Sequence, residues 1–289
     1  MSLSVVIITN NEEANIGRTL ASVQPLISDG KGEVIVVDSG STDRTVEIAK
    51  SFGAKVFVEE WKGYAAQKNS AIDKATGDWI LSLDADEEVS ADLLQALRDA
   101  LEGLERVSDL SKQADVHPFT VDDATSDLEY HIGIKLDGEF AGLWIPRKNE
   151  FLGRWIKHGG FWPDAKLRLF RNGTGRFESR AVHEDARVTG ETGRIRYGSI
   201  FHHSYPTLSD YIDHMNRYSS LGAEMAVANG KARFSVVNIV LRPLATFIYN
   251  YIFRLGFLDG REGLLLHLYH AVYVSWKYAK AWELTRKPR

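Results

Sequence analysis

Gly77-Asp78-Trp79-Ile80-Leu81-Ser82-Leu83-Asp84-Ala85-Asp86-Glu87-Glu88 is a short apolar run that ends abruptly in acid. Trp79 to Leu83, bounded by Gly77, has the length and composition of a buried strand, and Ser90 before Ala91-Asp92-Leu93-Leu94-Gln95-Ala96-Leu97 reads as a capped helix start. Asp84 and Asp86 are therefore expected at the carboxyl end of a strand, the edge at which open α/β sheets bind ligands. Period-two spacing is expected to point both side chains to one side, where two carboxylates repel unless a cation joins them. A hard divalent ion with a phosphate on its far side meets that need.

Working outward, residues 1 to about 101 alternate strand and helix, the pattern of a parallel sheet with crossover helices. Ser4 to Thr9 is β-rich, and Asn10-Asn11-Glu12-Glu13 opens a helix expected to run through Val23. Glu33 to Val37 is a second strand, after which Asp38-Ser39-Gly40-Ser41-Thr42-Asp43 turns into a helix ending near Ser51. Lys55 to Val58 is a third strand, and Gly63 to Lys74 reads as helix before the central strand. Polar and acidic groups thus end strands one, two and four, and they converge on one rim. Glycine-rich phosphate loops are missing: there is no GxxxxGK[ST], and Asp38-Ser-Gly-Ser-Thr-Asp is not GxGxxG.

The chain has 289 residues, 44% hydrophobic, enough to bury a sizeable core. It has no cysteine, which removes disulfides and thiolate metal sites and is compatible with a reducing cytosol. The N-terminus has no basic region ahead of its first apolar run, so no signal peptide is expected. A net charge of −4 conceals an asymmetry, because Lys231 to Arg289 holds ten Lys/Arg against three Asp/Glu. Those cations are interleaved with Phe, Tyr, Leu and Trp, a pattern that favours an anionic membrane surface over nucleic acid. The 14-residue run Gly263 to Trp276 is too short to span a bilayer and is expected to lie on a membrane or to pack.

Between residues 102 and 139 periodicity weakens and a loop or excursion is expected. Short β-like pieces return at Gly142 to Pro146, Lys166 to Phe170 and Arg194 to Phe201, and Thr207 to Leu284 is mostly helical by periodicity. The expected organisation is one α/β domain over residues 1–205 and a basic helical extension over 206–289.

Four ordered blocks resemble family 2 glycosyltransferases: Val5-Val6-Ile7-Ile8-Thr9-Asn10-Asn11-Glu12, Val36 to Thr45, Ala66-Gln67-Lys68-Asn69, and Gly77 to Glu87. Further blocks are similar to the lipopolysaccharide-core glucosyltransferase branch: Pro146-Arg147, Gly153 to Ile156, His158 to Asp164, Lys166 to Arg171, Val182-His183-Glu184 and Asn216 to Ser220. The resemblance implies a GT-A fold, an α/β nucleotide-diphospho-sugar transferase domain with a mostly parallel sheet. It implies an inverting transfer of a hexose, glucose by the branch, from a UDP-sugar to a lipid-linked or lipopolysaccharide glycan acceptor. The enzyme is then expected to be peripheral at the inner face of the cytoplasmic membrane.

Carried over by residue, Thr9, Asn11, Glu12 and Asp38 belong to the nucleotide pocket, with Asp38 accepting the uracil imide N–H. Asp86 ligates Mg²⁺ or Mn²⁺, and Asp84 meets ribose or the metal shell. Lys68 and Asn69 contact sugar or diphosphate. Glu184 is the base that takes the acceptor proton, with His183 orienting it or assisting the metal. Arg168 and Arg171 meet phosphate or an anionic acceptor.

Each assignment has a plainer competitor. Glu12 could complement a helix N-terminus, and Asp38 could cap a turn. His183 could be an ordinary core or loop histidine, and His202 and His203, adjacent in a strand, face opposite sides and stay unassigned. Two rivals for the whole chain are a metal-dependent phosphohydrolase using the Asp pair and a non-catalytic membrane-binding protein on the same fold.

Overall fold

The computed structural model describes residues 1–28, 30–111, 140–178 and 185–286. They form two compact units. The first comprises Met1–Arg147, Ala165–Ser179 and Glu184–His202, and the second Lys148–Asp164, Arg180–His183 and His203–Arg289. Residues 148–164, which the sequence places in the α/β domain, group with the C-terminal helices.

The first unit is built on β1 (Leu3–Thr9), α1 (Ile16–Ile27), β2 (Gly32–Asp38), α2 (Thr45–Ser51), β3 (Lys55–Val58), α3 (Tyr64–Asp73), β4 (Trp79–Asp84), β5 (Glu87–Val89) and α4 (Ala91–Ser111). It adds β6 (Phe140–Ile145), and β7 (Arg147–Phe151) and β8 (Arg154–Ile156) lead into the second unit. β9 (Lys166–Arg171), β10 (Gly175–Phe177), β11 (Ala186–Val188) and β12 (Glu191–Arg194) follow in the first, and β13 (Ile200–Tyr205) runs on into the second.

The main sheet has the order β12-β6-β9-β4-β1-β2-β3. β1 to β4 are mutually parallel, β9 is antiparallel to both β4 and β6, and β12 is parallel to β6. This is the α/β, mostly parallel GT-A architecture that the sequence implied.

Side-chain alternation explains why the strands bury both faces. Leu3, Val5 and Ile7 of β1, with Trp79, Leu81 and Leu83 of β4, pack on Ile16, Leu20 and Val23 of α1 and Leu93 and Leu97 of α4. The intervening Val6, Ile35, Val37 and Ile80 pack on Ala65, Ala71 and Ile72 of α3. Register then sets the rim: Thr9 pairs with Asp38, and Ile8 with Asp84. The chain goes from β3 back across β1 to reach β4, so the β1/β4 junction is a topological switch point.

Three local expectations change. The helix expected from Asn10 begins only at Ile16, because Asn11 takes a left-handed φ of 56° and its carbonyl Oδ1 accepts Thr42 N–H at 2.8 Å. β4 stops at Asp84, and Glu87–Val89 is a separate strand pairing with β13, so period-two geometry does not extend to Asp86. The β-like stretch Arg194 to Phe201 is broken by Gly198, whose φ is 79° and where a Cβ would sit 2.2 Å from Leu93 N. Helix α4 covers 102–111, and the rest of the expected excursion lies outside the described residues.

In the second unit β7 and β8 form a hairpin closed by Leu152 and Gly153, both at positive φ. Helix α5 (Leu208–Ala228) opens on a capping box between Thr207 and Asp210. After it come a π-helical turn (Val237–Leu241), α6 (Arg242–Ile248), a second π-helical turn (Tyr249–Phe253), a 3₁₀ turn (Gly256–Asp259) and α7 (Gly260–Leu284). α5 and α7 approach closely through Ala223, Ala226 and Ala281. Lys280 is turned into that contact, donating to Asn216 O and to Ser219 and Ser220 Oγ at 2.8–2.9 Å, so it is not the solvated cation its position suggests. Among the described residues no helix is long and apolar enough to cross a membrane.

Candidate active site

The carboxyl rim of β1, β2 and β4 carries the polar residues together. Asp38, fully buried, ends β2, and its Oδ1 accepts the N–H groups of Gly40 (2.9 Å) and Ser41 (2.8 Å), while the Ser41 hydroxyl donates to Oδ2. Its turn-capping role thus fixes the orientation of its carboxylate. Asn11 N–H donates to Ser41 Oγ at 2.8 Å, tying the β1 loop to the β2 loop. The hydroxyls of Thr9 and Ser39 are buried without a hydrogen-bond partner, which is uncommon for interior polar groups. Glu12 accepts from Asn15 Nδ2 at 2.8 Å, and burial pushes its carboxyl up, reinforced by the negative charges of Asp86, Asp43 and Asp84.

Asp84 and Asp86 have different surroundings. Asp84 Oδ1 lies 2.6 Å from Lys68 Nζ, and Oδ2 accepts from Arg168 Nη2 at 2.6 Å. Burial pushes its carboxyl up, but Arg168 and Lys68 outweigh that and hold it well below the usual carboxylate range. The same Arg168 nitrogen donates to Glu87 Oε1 at 2.6 Å. Glu87, itself fully buried, also accepts from Arg147 Nη1 (3.0 Å) and from Asp84 N–H (3.0 Å). Burial lowers the Arg168 pKa, and Asp84 and Glu87 overcome that and raise it, so the guanidinium stays charged. The cation expected between two acids is therefore supplied, at Asp84, by the protein.

Asp86 instead faces His202, with Nε2 3.2 Å from Oδ2. Burial pushes Asp86 up and His202 more than compensates, leaving it below its ordinary value. The Thr19 hydroxyl donates to Ala85 O at 2.6 Å, anchoring the turn that separates the two acids to α1.

The adjacent His203 takes another course, its Nδ1 lying 2.7 Å from Glu150 Oε2. Of the histidines left unassigned by the sequence, His202 thus joins the rim. Its signal was its place in a strand beside another histidine, without the pairing that reveals Asp86 as its neighbour. Glu87 and Arg147 were also missed as members of the charged network.

Other expected residues fall elsewhere. Asn69 closes both amide functions on the backbone of Phe177, donating to its O and accepting from its N–H at 2.9 Å each, and so ties α3 to β10. Arg171 pairs in register with Trp79, at the amino end of β4, because β9 runs antiparallel. That is the opposite end of the strand from Asp84 and removes Arg171 from this rim. Arg168, 4% exposed, has its Nη2 committed to Asp84 and Glu87 and does not present a surface for an acceptor. His183 and Glu184 lie outside the described residues.

Among the described residues no group of three or more Asp, Glu, His or Cys is placed to hold a metal. Asp86 with His202 is a two-donor set of one carboxylate and one imidazole. The carboxylate suits Mg²⁺ or Mn²⁺ when substrate phosphate and water complete the shell, and the imidazole, a softer donor, favours Mn²⁺ of the two.

The acids gathered at the β1/β4 switch point mark a ligand site at the carboxyl edge of an α/β sheet, and comparison with known proteins gives its class. A model of "Glycosyl transferase family 2" matches residues 4–131. The chain is 32% identical over 291 residues to an uncharacterized glycosyltransferase of Rickettsia typhi, covering 99% of this chain and 89% of that protein. It is 29% identical over 290 residues to the lipopolysaccharide core biosynthesis glycosyltransferase LpsC of Rhizobium meliloti, covering 98% and 93%. Among solved structures it is similar to S. aureus TarS in complex with UDP-GlcNAc, at a TM-score of 0.47 and 15% identity over 97% of this chain and 90% of that one. The chain belongs to the family 2 glycosyltransferases, and the protein is a glycosyltransferase. The phosphohydrolase and non-catalytic readings of the acidic pair are set aside by that membership.

Proposed function

We propose that this enzyme moves a hexose, glucose by its resemblance, from a UDP-sugar to a hydroxyl of a lipid-linked or lipopolysaccharide-core glycan, with inversion and with Mg²⁺ or Mn²⁺, at the inner face of the cytoplasmic membrane. The observation that carries the reading is the unequal treatment of the two acids: Asp84 is neutralised by Lys68 and Arg168, and Asp86 lies beside the imidazole of His202. Asp86 and His202 are the residues that would hold the cation. When bound, such a cation supplies positive charge to the departing diphosphate.

The chain's own residues divide the remaining work. Asp38, oriented by Gly40 and Ser41, would accept the uracil imide N–H, and Thr9, Asn11 and Glu12 would border the nucleoside. Asp84, immobilised between two cations, would meet the ribose. The acceptor oxygen attacks the anomeric carbon from the face opposite the diphosphate, the bond from that carbon to the phosphate oxygen breaks, and UDP leaves. Glu184 would take the proton released by the acceptor hydroxyl. Support for Glu184 comes from the resemblance of Val182-His183-Glu184 to the block in which the family carries its base. The acceptor class follows the name of the Rhizobium meliloti relative, which is a lipopolysaccharide core enzyme.

A thermal-shift screen of UDP-sugars with Mn²⁺ tests the donor. The preferred donor at about 100 times its Kd should stabilise by roughly 2.7 kcal/mol, about 4–5 °C for a chain of this size. UDP release on adding an acceptor glycolipid completes the test. No stabilisation by any UDP-sugar, with or without Mn²⁺, would remove the donor and cofactor assignments together.

A further inference from the structure

We propose that residues 234–258 form a shallow insertion surface for an anionic lipid bilayer, an inference that rests on the glycolipid-acceptor reading only for its biological purpose. The two π-helical turns and α6 make one continuous helical stretch, Val237 to Phe253. Along it Val237, Val240, Leu241, Leu244, Ile248 and Ile252 recur at intervals of three and four and all are exposed. Phe253 is 73% exposed, and Phe234, Tyr249 and Phe257 add exposed rings.

The opposite side of the stretch is the packed one. Pro243 is buried, Ser275 Oγ of α7 donates to Ile239 O at 2.8 Å, and Arg242 reaches the Tyr278 hydroxyl. An amphipathic helix normally turns its apolar face to the core, and here it turns that face outward. Contiguous exposed apolar area of this kind marks an interaction surface.

Charge selects the occupant. From Lys231 to Leu258 the chain carries Lys231, Arg233, Arg242 and Arg254 and no Asp or Glu. Apolar residues, aromatic rings and basic residues without acids are the composition that suits an anionic interface, with the rings at headgroup level. A second copy placed face to face would set the same cations against each other. A spanning arrangement is disfavoured by Arg242 and Pro243 at mid-stretch and by the absence, among the described residues, of a helix long and apolar enough to cross. The structure also relocates the surface from where composition pointed. In the charge-free run Gly263 to Trp276, Gly263, Leu266, His267 and Ala271 are buried, so that run packs in part and the outward face lies upstream.

The full-length protein is tested by sedimentation with phosphatidylcholine vesicles with and without about 30 mol% phosphatidylglycerol, comparing wild type with L241E/F253E. Both side chains are exposed, so the variant should melt as wild type does and bind UDP with Mn²⁺ equally well in calorimetry. Wild type should bind the anionic vesicles and lose binding at high salt, and the variant should bind them at least about tenfold more weakly. Equal binding by both proteins overturns the surface, as does no vesicle binding by wild type. Concentration-dependent dimerisation that L241E/F253E abolishes, without vesicle binding, overturns it in favour of a second copy. Vesicle binding without UDP release on any glycolipid would instead leave this surface standing and sink the acceptor assignment.

Discussion

His202 Nε2 lies 3.2 Å from Asp86 Oδ2, joining a histidine of β13 to the second acid of the Asp84-Ala85-Asp86 turn. No local pattern links the two, since β13 meets β5 through antiparallel pairing across the chain, Ile200 with Val89, Phe201 with Glu88 and His202 with Glu87. If the pair holds the cation, His202→Ala should weaken Mn²⁺-dependent UDP binding at least about tenfold, within the range seen when metal-site partners are removed. Calorimetry with and without Mn²⁺ measures this. Wild-type affinity in His202→Ala would mean that the imidazole is only a neighbour of Asp86.

The two acids should fail differently when neutralised. Asp84→Asn leaves Arg168 and Lys68, both nearly buried, without their shared carboxylate. Removing one member of a buried ion pair costs about 3–5 kcal/mol, and the 28% exposure of Asp84 reduces that to roughly 2–3 kcal/mol. Denaturant unfolding should register the loss. Asp86→Asn should unfold within about 1 kcal/mol of wild type yet lose metal-dependent UDP binding. Equal loss of stability in both variants would contradict the division of labour drawn from their partners.

Why the rim was legible and its wiring was not follows from the sheet. Apolar runs that each end in a polar residue, Thr9, Asp38 and Asp84, are aligned by parallel register, so their convergence is written in the strands themselves. The partners of Asp84 come from α3 and β9, and no periodicity says that Lys68 and Arg168 turn inward. Asn69 and Arg171 went to other places for the same reason: which end of β9 meets β4 depends on strand direction, and the Asn69 amide was claimed by a distant backbone. The outward face of Val237 to Phe253 was hidden differently. An amphipathic helix reads the same in sequence whichever way its apolar side turns.

Glu184 follows Val182 and His183, and Asp185 after it is tied to Glu178 N–H. As the proposed base it would act on the acceptor proton and not on the nucleotide. Glu184→Gln should therefore bind UDP as wild type does while the transfer rate falls by about 10²–10⁴-fold, the contribution typical of a positioned base. His183→Ala should lower the rate less if it only orients its neighbour. Paired measurements of UDP affinity and single-turnover transfer decide between these roles, and near-normal turnover in Glu184→Gln would place the base elsewhere.

Acid should loosen the second unit before it protonates most carboxylates, because of His267. Its ring is 1% exposed, lies against Phe161 and Tyr251, and leaves so little room that a Cβ on Gly159 would fall 1.9 Å from its Cε1. Burial, with His270 adding to it, pushes its pKa down from 6.5 to about 4. The unfolded chain therefore binds a proton between these values that the native ring refuses. Above about pH 6.5 both states are neutral and the difference vanishes; as pH falls from there to about 4 stability declines. The loss between about pH 7.5 and pH 5 should be roughly 2 kcal/mol. His267→Phe, which keeps a ring without a titrating nitrogen, should remove that portion of the acid sensitivity even if it lowers stability at neutral pH. Glu33, held at about 2 because Lys55, Thr76 and Ser4 outweigh the effect of its burial, gives a separate loss below about pH 4.5 that the substitution should leave intact. An unchanged slope between pH 7.5 and 5 in His267→Phe would show that another group carries the effect.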